Sequence, residues 1–377
     1  MKIGVDARCL QEGKNTGVEE YTRGLIKYLA DHCKDDQIIL FTNSFKPIKE
    51  NFRWLEGIGN VEVKRFKLPN KILNFCFWFL AWPKADKMLG GTDIFFVPNF
   101  CFIRLSNQCK KYLTVHDLSF ERLPETFSFK RRLWHFFVNP RRLCRDSDVI
   151  LAVSRSTAAD LKDLYKINPS RIRVVYPFFK EKIFSGEIRN REEMKAVKRK
   201  YALPKSYFLF LGTIEPRKNI SALIEAFEHW KDRYKQNDVK LVIAGQRGWL
   251  WKDILERVRN SKYRREIIFT DFIEENDKPY IYAGALLFIY PSLFEGFGFP
   301  PLEAMACKVP VITSHCSSLP EIAGDAAVLI NPYRSYEIFL GMELLLKDKK
   351  VYEKYKKRGT ERAKQISKKS RKIEINK

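Results

Sequence analysis

The feature that most restricts what this chain can become is a rhythm. Short runs of β-branched and aromatic residues recur along it, many running straight into Gly, Ser, Asp or Pro and then a stretch of helical length. In the first half they are MKIGVDA, QIILFT, DIFFVP, KKYLTVHD, DVILAVS and RIRVVYP. In the second half they are YFLFLGT, KLVIAGQ, EIIFTDF, ALLFIYPS, VPVITS and AAVLINP. Continuous apolar runs with helix-length segments between them are the pattern of parallel strands joined by crossover helices. The rhythm breaks once, in the charged stretch KEKIFSGEIRNREEMKAVKRKYAL between Phe179 and Pro204. The expected class is therefore α/β, with two Rossmann-like parallel-sheet domains, residues 1–178 and 204–350, facing a central cleft. A charged linker spans 179–203. Residues 351–377 should form a C-terminal helix, beginning near 349 and ending near 366, and a frayed basic tail.

Composition adds constraints. The 377 residues are 45% apolar and carry a formal net charge of +24, which favours an anionic partner. The start, MKIGVDARCL, does not read as a signal peptide because Asp6 and Arg8 interrupt it. The longest apolar run, Ile72 to Trp82, contains Asn74 and stops at Pro83, too short to span a bilayer. Eight cysteines without a C-x-x-C read as free thiols in a reducing cytosol.

Ligands of open parallel sheets meet the loops after the strands. FEGFGFPPLEAMACKVPVITS, Phe294 to Ser314, places Glu295 among Gly296, Phe297 and Gly298, and then Glu303. With Pro301 as the first helical residue, Glu303 falls in the first turn, where an acid suits the helix dipole and can cap free N–H groups. Glu295 lacks that explanation. Carboxylates in a glycine loop suit vicinal hydroxyls. In LGTIEPRKNISALIEAF, Arg217 and Lys218 precede a helix with Asn219 at its N-cap position, an arrangement suited to diphosphate or to solvated charge. Gly17, in KNTGVEEYTRGL, opens an amphipathic helix, and the full G-x-G-x-x-G fingerprint is absent. His116 and Asp117 end a strand. Asp146–Ser147–Asp148 precedes a strand instead of following one, so it reads as a helix end and turn, not a metal site.

Together, and in this order, Thr16–Gly17–Val18, Val115–His116–Asp117, Glu215–Pro216–Arg217–Lys218–Asn219, Ala244–Gly245, and Glu295 with seven residues before Glu303 resemble the retaining glycosyltransferases of family 4, of GT-B fold. SSLPEIAGDAAVLINP matches the family's next segment, and the resemblance covers roughly residues 1–345. It implies that the first domain faces the acceptor and the second binds a nucleotide sugar. Arg217 and Lys218 would hold the diphosphate and stabilise the leaving group. Glu303 would bind ribose hydroxyls, and Glu295 with the backbone of Gly296, Phe297 and Gly298 would hold the donor sugar. Gly17 would admit the phosphate and acceptor, His116 would face the reacting sugar, and Ile273 would meet the base. The resemblance implies no metal and no cofactor beyond the substrate nucleotide sugar, with GDP-mannose favoured. The chain departs from the family's pattern at Thr213, where a basic residue is frequent, and at Asp271, where glycine is usual. It has no aromatic anchor after Tyr355, so the closing helix is expected to be short or loosely docked.

The implied activity is transfer of a hexose to a glycan or lipid-linked glycan in surface-polysaccharide synthesis. An epimerase of the same fold and a basic nucleic-acid-binding protein are the alternatives, although no nucleic-acid motif is present. FSFKRRLWHFFVNPRRLCR, Phe127 to Arg145, and KILNFCFWFLAWPK interleave aromatics with cations. They read either as core aromatics with a wet basic face or as a surface for anionic membrane. The expected location is cytoplasmic, peripheral on the inner face of the plasma membrane.

Overall fold

The computed structural model describes residues 1–12, 17–45, 52–179, 181–184, 191–235 and 238–370. Lys14 and Thr16 of the glycine-turn motif, part of the expected linker and the end of the basic tail lie outside the described residues. Two all-parallel sheets are formed. The first contains β1 (Lys2–Asp6), β2 (Gln37–Asn43), β3 (Val61–Phe66), β4 (Ile94–Val97), β5 (Lys110–Val115), β6 (Val149–Ala152) and β7 (Ile172–Val174), in the order β3-β2-β1-β4-β5-β6-β7. The second contains β8 (Tyr207–Leu211), β9 (Lys240–Ala244), β10 (Ile267–Phe269), β11 (Leu287–Tyr290), β12 (Val311–Ser314) and β13 (Val328–Ile330), in the order β10-β9-β8-β11-β12-β13. All twelve apolar runs form strands. β3 was not foreseen: it is an edge strand whose sequence, VEVKRF, alternates charge with apolar residues and leaves Glu62, Val63 and Arg65 exposed.

Sheet order reverses between β1 and β4 in the first sheet and between β8 and β11 in the second. Loops leaving the two strands at such a point part from each other and leave a crevice. Central strands are dry, as parallel sheets with covered faces require: β8 is buried at every residue.

The chain forms two compact units. One gathers Met1–Leu118 and Phe129–Phe178; the other joins Ser119–Ser128 to the residues from Phe179 onward. The expected first domain differs there, because Trp249 holds that segment: its Nε1–H donates to the Thr126 carbonyl (2.6 Å) and its ring stacks on Phe127 at 5.4 Å. The Lys349–Lys369 helix is neither short nor loose. Small residues dock it in place of an aromatic. Gly359 lies so near Met305 that a Cβ would come within 3.2 Å of its Cγ, while Ala363 and Ile366 are fully buried. Arg362 donates to the Glu321 and Ile322 carbonyls at 2.6 and 2.8 Å.

Candidate active site

The second unit's switch point brings the β8 and β11 loops together. After β8, Pro216–Lys218 form one 3-10 turn, and Asn219, at φ 55°, redirects the chain into the Ile220–Arg233 helix. Asn219 occupies the N-cap position, but its side chain does not cap; it donates to the Pro332 carbonyl at 2.6 Å. The Leu293 N–H donates to the Arg217 carbonyl at 2.9 Å, tying the two loops.

This places Arg217, Lys218 and Glu295 in contact. Lys218 Nζ lies 2.5 Å from Glu295 Oε1 and 2.7 Å from the Tyr290 hydroxyl. Arg217 reaches Glu295 Oε2 at 3.3 Å, Glu215 Oε1 at 2.8 Å and the Phe294 carbonyl at 2.5 Å. Ser292 Oγ donates to Glu295 Oε1 at 2.5 Å. The loop backbone is fixed as well: Glu295 N–H donates to Ser317 Oγ, and Ser318 Oγ donates to the Glu295 and Phe297 carbonyls. Two cations and two carboxylates share one buried cluster, in which Arg217, Lys218 and Glu295 are each held by more than one bond. Burial alone would raise the Glu295 carboxyl, but Lys218 and Arg217 outweigh it and hold its pKa at about 2. Burial instead wins at Glu215, whose pKa is raised, and lowers that of Lys218.

The helix carrying Glu303 corrects one expectation. It runs from Phe299 to Ala306, beginning two residues before Pro301. Gly298, at φ 112°, turns the chain ahead of it, and both prolines fall in the first turn, where no N–H is needed. Glu303 therefore lies beyond the first turn and is not a capping acid. It is buried, and the Tyr282 hydroxyl donates to its Oε2 at 2.7 Å. Phe297 is also buried, and a Cβ on Gly298 would come 2.9 Å from Leu319.

Ile273 is buried in the loop after β10. Nearby Asp271 keeps a left-handed φ of 51°, a conformation that glycine adopts freely, and its carboxylate pairs with Arg247 at 3.0 Å. Gly245 is required by the chain itself: at φ 134°, a Cβ would lie 2.0 Å from the Gly212 carbonyl oxygen. Gly17 begins the Gly17–His32 helix, and a Cβ there would meet nothing among the described residues.

His116 belongs to the first unit, just after β5. Its Nε2 lies 2.9 Å from the Pro98 carbonyl, which can only accept, so that nitrogen carries the hydrogen and Nδ1 keeps a lone pair. Burial lowers its pKa. Asp146–Asp148 is a helix end and turn: Asp146 caps the Pro140–Arg145 helix and Asp148 accepts the Lys111 N–H. Among the described residues no three His, Cys, Asp or Glu side chains gather as a metal site. The sequence reading gave no role to Glu215, Tyr290, Ser292, Ser317, Ser318 or Tyr282. Glu215 carried a signal, two residues before Arg217, and Ser317 and Ser318 open the SSLPEIAGDAAVLINP segment.

Two parallel-sheet α/β units with a charged switch-point cluster define a GT-B glycosyltransferase architecture, and sequence comparison agrees. Residues 15–180 match the model of Glycosyltransferase Family 4, and residues 190–362 match that of Glycosyl transferases group 1. The chain is 33% identical over 372 residues to the O-antigen chain mannosyltransferase B of Escherichia coli, covering 93% of this chain and 92% of that one. The chain belongs to the family 4 glycosyltransferases. It is also 27% identical over 230 residues to the N-acetylgalactosamine-N,N'-diacetylbacillosaminyl-diphospho-undecaprenol 4-alpha-N-acetylgalactosaminyltransferase of Campylobacter jejuni, covering 59% of this chain and 57% of that one. The Anabaena protein HepE in complex with UDP-glucose shares the fold, with a TM-score of 0.68 at 18% identity and 97% coverage of each chain.

Proposed function

We propose that this enzyme transfers mannose from GDP-mannose, with retention at the anomeric carbon, to a lipid-linked glycan in surface-polysaccharide synthesis. The observation that carries the reading is the Arg217–Lys218–Glu295 cluster at the switch point of the second sheet. Arg217 and Lys218 stabilise the departing diphosphate without a metal, because the carboxylates already hold both cations in position. Glu295 and the Gly296–Gly298 backbone read sugar hydroxyls, Glu303 reads the ribose, and Ile273 meets the base. The anomeric carbon–phosphate oxygen bond breaks as the acceptor hydroxyl attacks the same face. The hydroxyl proton passes to the departing phosphate, assisted by His116, while Gly17 admits donor phosphate and acceptor. The mannosyltransferase relative supports the sugar, and the name of the Campylobacter relative supports a lipid-linked acceptor.

An exposed surface of aromatics and cations supports the same acceptor. Phe79 and Trp82 are each 66% exposed, Phe129 78% and Phe136 76%, so these aromatics are not core. Trp78 and Phe137 meet edge-on at 5.4 Å, which joins the two segments into one patch. Lys71, Lys130, Arg131 and Arg132, on the same segments, are exposed, as an anionic interface requires. No described helix is long and apolar enough to cross a membrane.

Thermal-shift screening against a panel of nucleotide sugars tests the donor, with GDP-mannose expected to stabilise most. Flotation with anionic vesicles at low and high salt tests the surface. Binding that ignores salt, or no binding, refutes it.

A further inference from the structure

The ring of Tyr290, at the end of β11, belongs to an aromatic stack. It lies against Phe210 at 5.6 Å and against Phe288 at 5.8 Å, with interplanar angles of 14° and 19°. The residue is 1% exposed. Both neighbours are phenylalanines, and a third would fill the same space. Packing therefore does not explain the hydroxyl, and a buried hydroxyl needs a partner. It has one in Lys218. Nζ lies 2.7 Å from the phenol oxygen and 5.1 Å from the ring centroid, so the oxygen makes the contact.

Three features show what this contact does. The first is direction. A lysine head is a point charge on a flexible four-carbon stem, and it turns freely unless it is bonded. Among the described residues Nζ has two acceptors, Glu295 Oε1 at 2.5 Å and the Tyr290 hydroxyl. Both are fixed. Ser292 Oγ donates to the same Glu295 oxygen, and the Tyr290 carbonyl accepts from Thr313 Oγ1 on the neighbouring strand. Two bonds to fixed partners set where the third N–H of the ammonium points.

The second is charge. Glu295 neutralises the ammonium that it holds. A phenol does not: burial, reinforced by Glu295, keeps the Tyr290 pKa well above its ordinary value, so the hydroxyl stays uncharged. Tyr290 anchors the cation and leaves its charge available to a ligand.

The third is protonation. Besides Tyr290, the charged groups facing Lys218 are Arg217, Glu295 and Glu215. Burial and Arg217 lower the Lys218 pKa, and the two carboxylates oppose them without prevailing. An ammonium placed in this way loses its proton at lower pH than an ordinary lysine. A neutral acceptor that favours the charged form extends its working range upward.

We infer that Tyr290 is a positioning residue for the transfer: through its hydroxyl it fixes the Lys218 ammonium where charge develops on the departing diphosphate. The inference rests on the glycosyl-transfer reading for the diphosphate, and on the cluster alone for the hold on Lys218. The hydroxyl should matter more for a free nucleoside diphosphate, which carries the full leaving-group charge, than for a nucleotide sugar, in which the same phosphate is esterified.

Y290F removes the oxygen and keeps the ring, and two measurements on the full chain test its effect. The first is a carbon NMR titration of the lysine side chains, with the Lys218 signal assigned by its loss in K218M. The Lys218 midpoint should lie about 0.5–1 pH lower in Y290F than in the wild type. The second is titration calorimetry with GDP, GDP-mannose, UDP and UDP-glucose. Y290F should weaken the better-binding diphosphate about fivefold to tenfold, and its sugar ester no more than about twofold. In a K218M background Y290F should change neither affinity, because the residue through which it acts is gone. An unmoved Lys218 midpoint, an equal loss for diphosphate and nucleotide sugar, or the same loss in the K218M background overturns the inference. A lowered midpoint, with K218M itself keeping the wild-type affinity for the diphosphate, counts instead against the leaving-group reading and leaves the hold of Tyr290 on Lys218 standing.

Discussion

Replacing Lys218 by methionine should destabilise the second unit by an amount that depends on pH. Lys218 is 2.5 Å from Glu295, which is 8% exposed and has Arg217 as its other cation at 3.3 Å. The interval from an ordinary glutamate to the pKa of about 2 held here corresponds to roughly 3 kcal/mol favouring the charged carboxylate. The nearer cation supplies most of it, so K218M should cost about 2–3 kcal/mol at neutral pH, the lower edge of what breaking a buried pair costs because Arg217 remains. For a unit of this size that is a fall of about 5–10 °C in Tm. In the wild type the Glu295 carboxyl is depressed, so its contribution is present above the ordinary glutamate value and is lost as pH falls through about 2. In K218M, burial outweighs the remaining lowering interactions, the carboxyl moves up, and acidification relieves the variant. Calorimetry from pH 7 to pH 4 should show the gap between the two proteins narrowing, and E295Q added to K218M should recover much of the loss. A gap that ignores pH, or a double variant no more stable than K218M, refutes the reasoning. Turnover should fall by about 10²–10³ if the ammonium also stabilises the leaving group.

E303Q keeps the volume of the side chain and its Tyr282 partner but removes the charge. It should weaken nucleotide binding by roughly tenfold while the melting temperature stays close to the wild-type value, and unchanged donor affinity in titration calorimetry removes the ribose role. His116 should be neutral at pH 7, protonated at Nε2, because burial lowers its pKa. Its contribution to stability is present above the ordinary histidine value and is lost as pH falls below it. A nitrogen NMR titration showing a midpoint at or above about 6.5 contradicts this. G245A would force a methyl to within 2.0 Å of the Gly212 carbonyl oxygen at a left-handed φ, so it should cost at least about 2 kcal/mol. A wild-type melting curve disproves the clash.

What the sequence shows depends on how far apart the interacting residues lie. Strands buried on both faces announce themselves as apolar runs, which is why every one was legible and the half-wet edge strand β3 was not. Arg217, Lys218 and Glu295 were legible because their loops carry local signatures of proline, glycine and charge. The residues that hold them were not: Tyr290 meets Lys218 across 72 positions, and Ser318 meets the Glu295 carbonyl across 23. A serine or tyrosine at a strand end is unremarkable until the fold shows its neighbour. The start of the Glu303 helix was misplaced because Pro301 is an equally good third residue. What decides the start is the φ of Gly298, which sequence does not print.

Ten residues qualify the modularity of this chain. Ser119–Ser128 comes from the first half of the sequence yet completes the second unit, fastened by Trp249. A gene cut at the junction after Phe178 would give a second half missing a piece of its own surface, with an indole N–H and a ring face left uncovered. Exchange of halves between relatives therefore carries a compatibility rule: the incoming first half must bring a segment that the resident tryptophan can hold. Chimeras that keep Ser119–Ser128 and Trp249 from one parent should fold better than those divided at the linker alone.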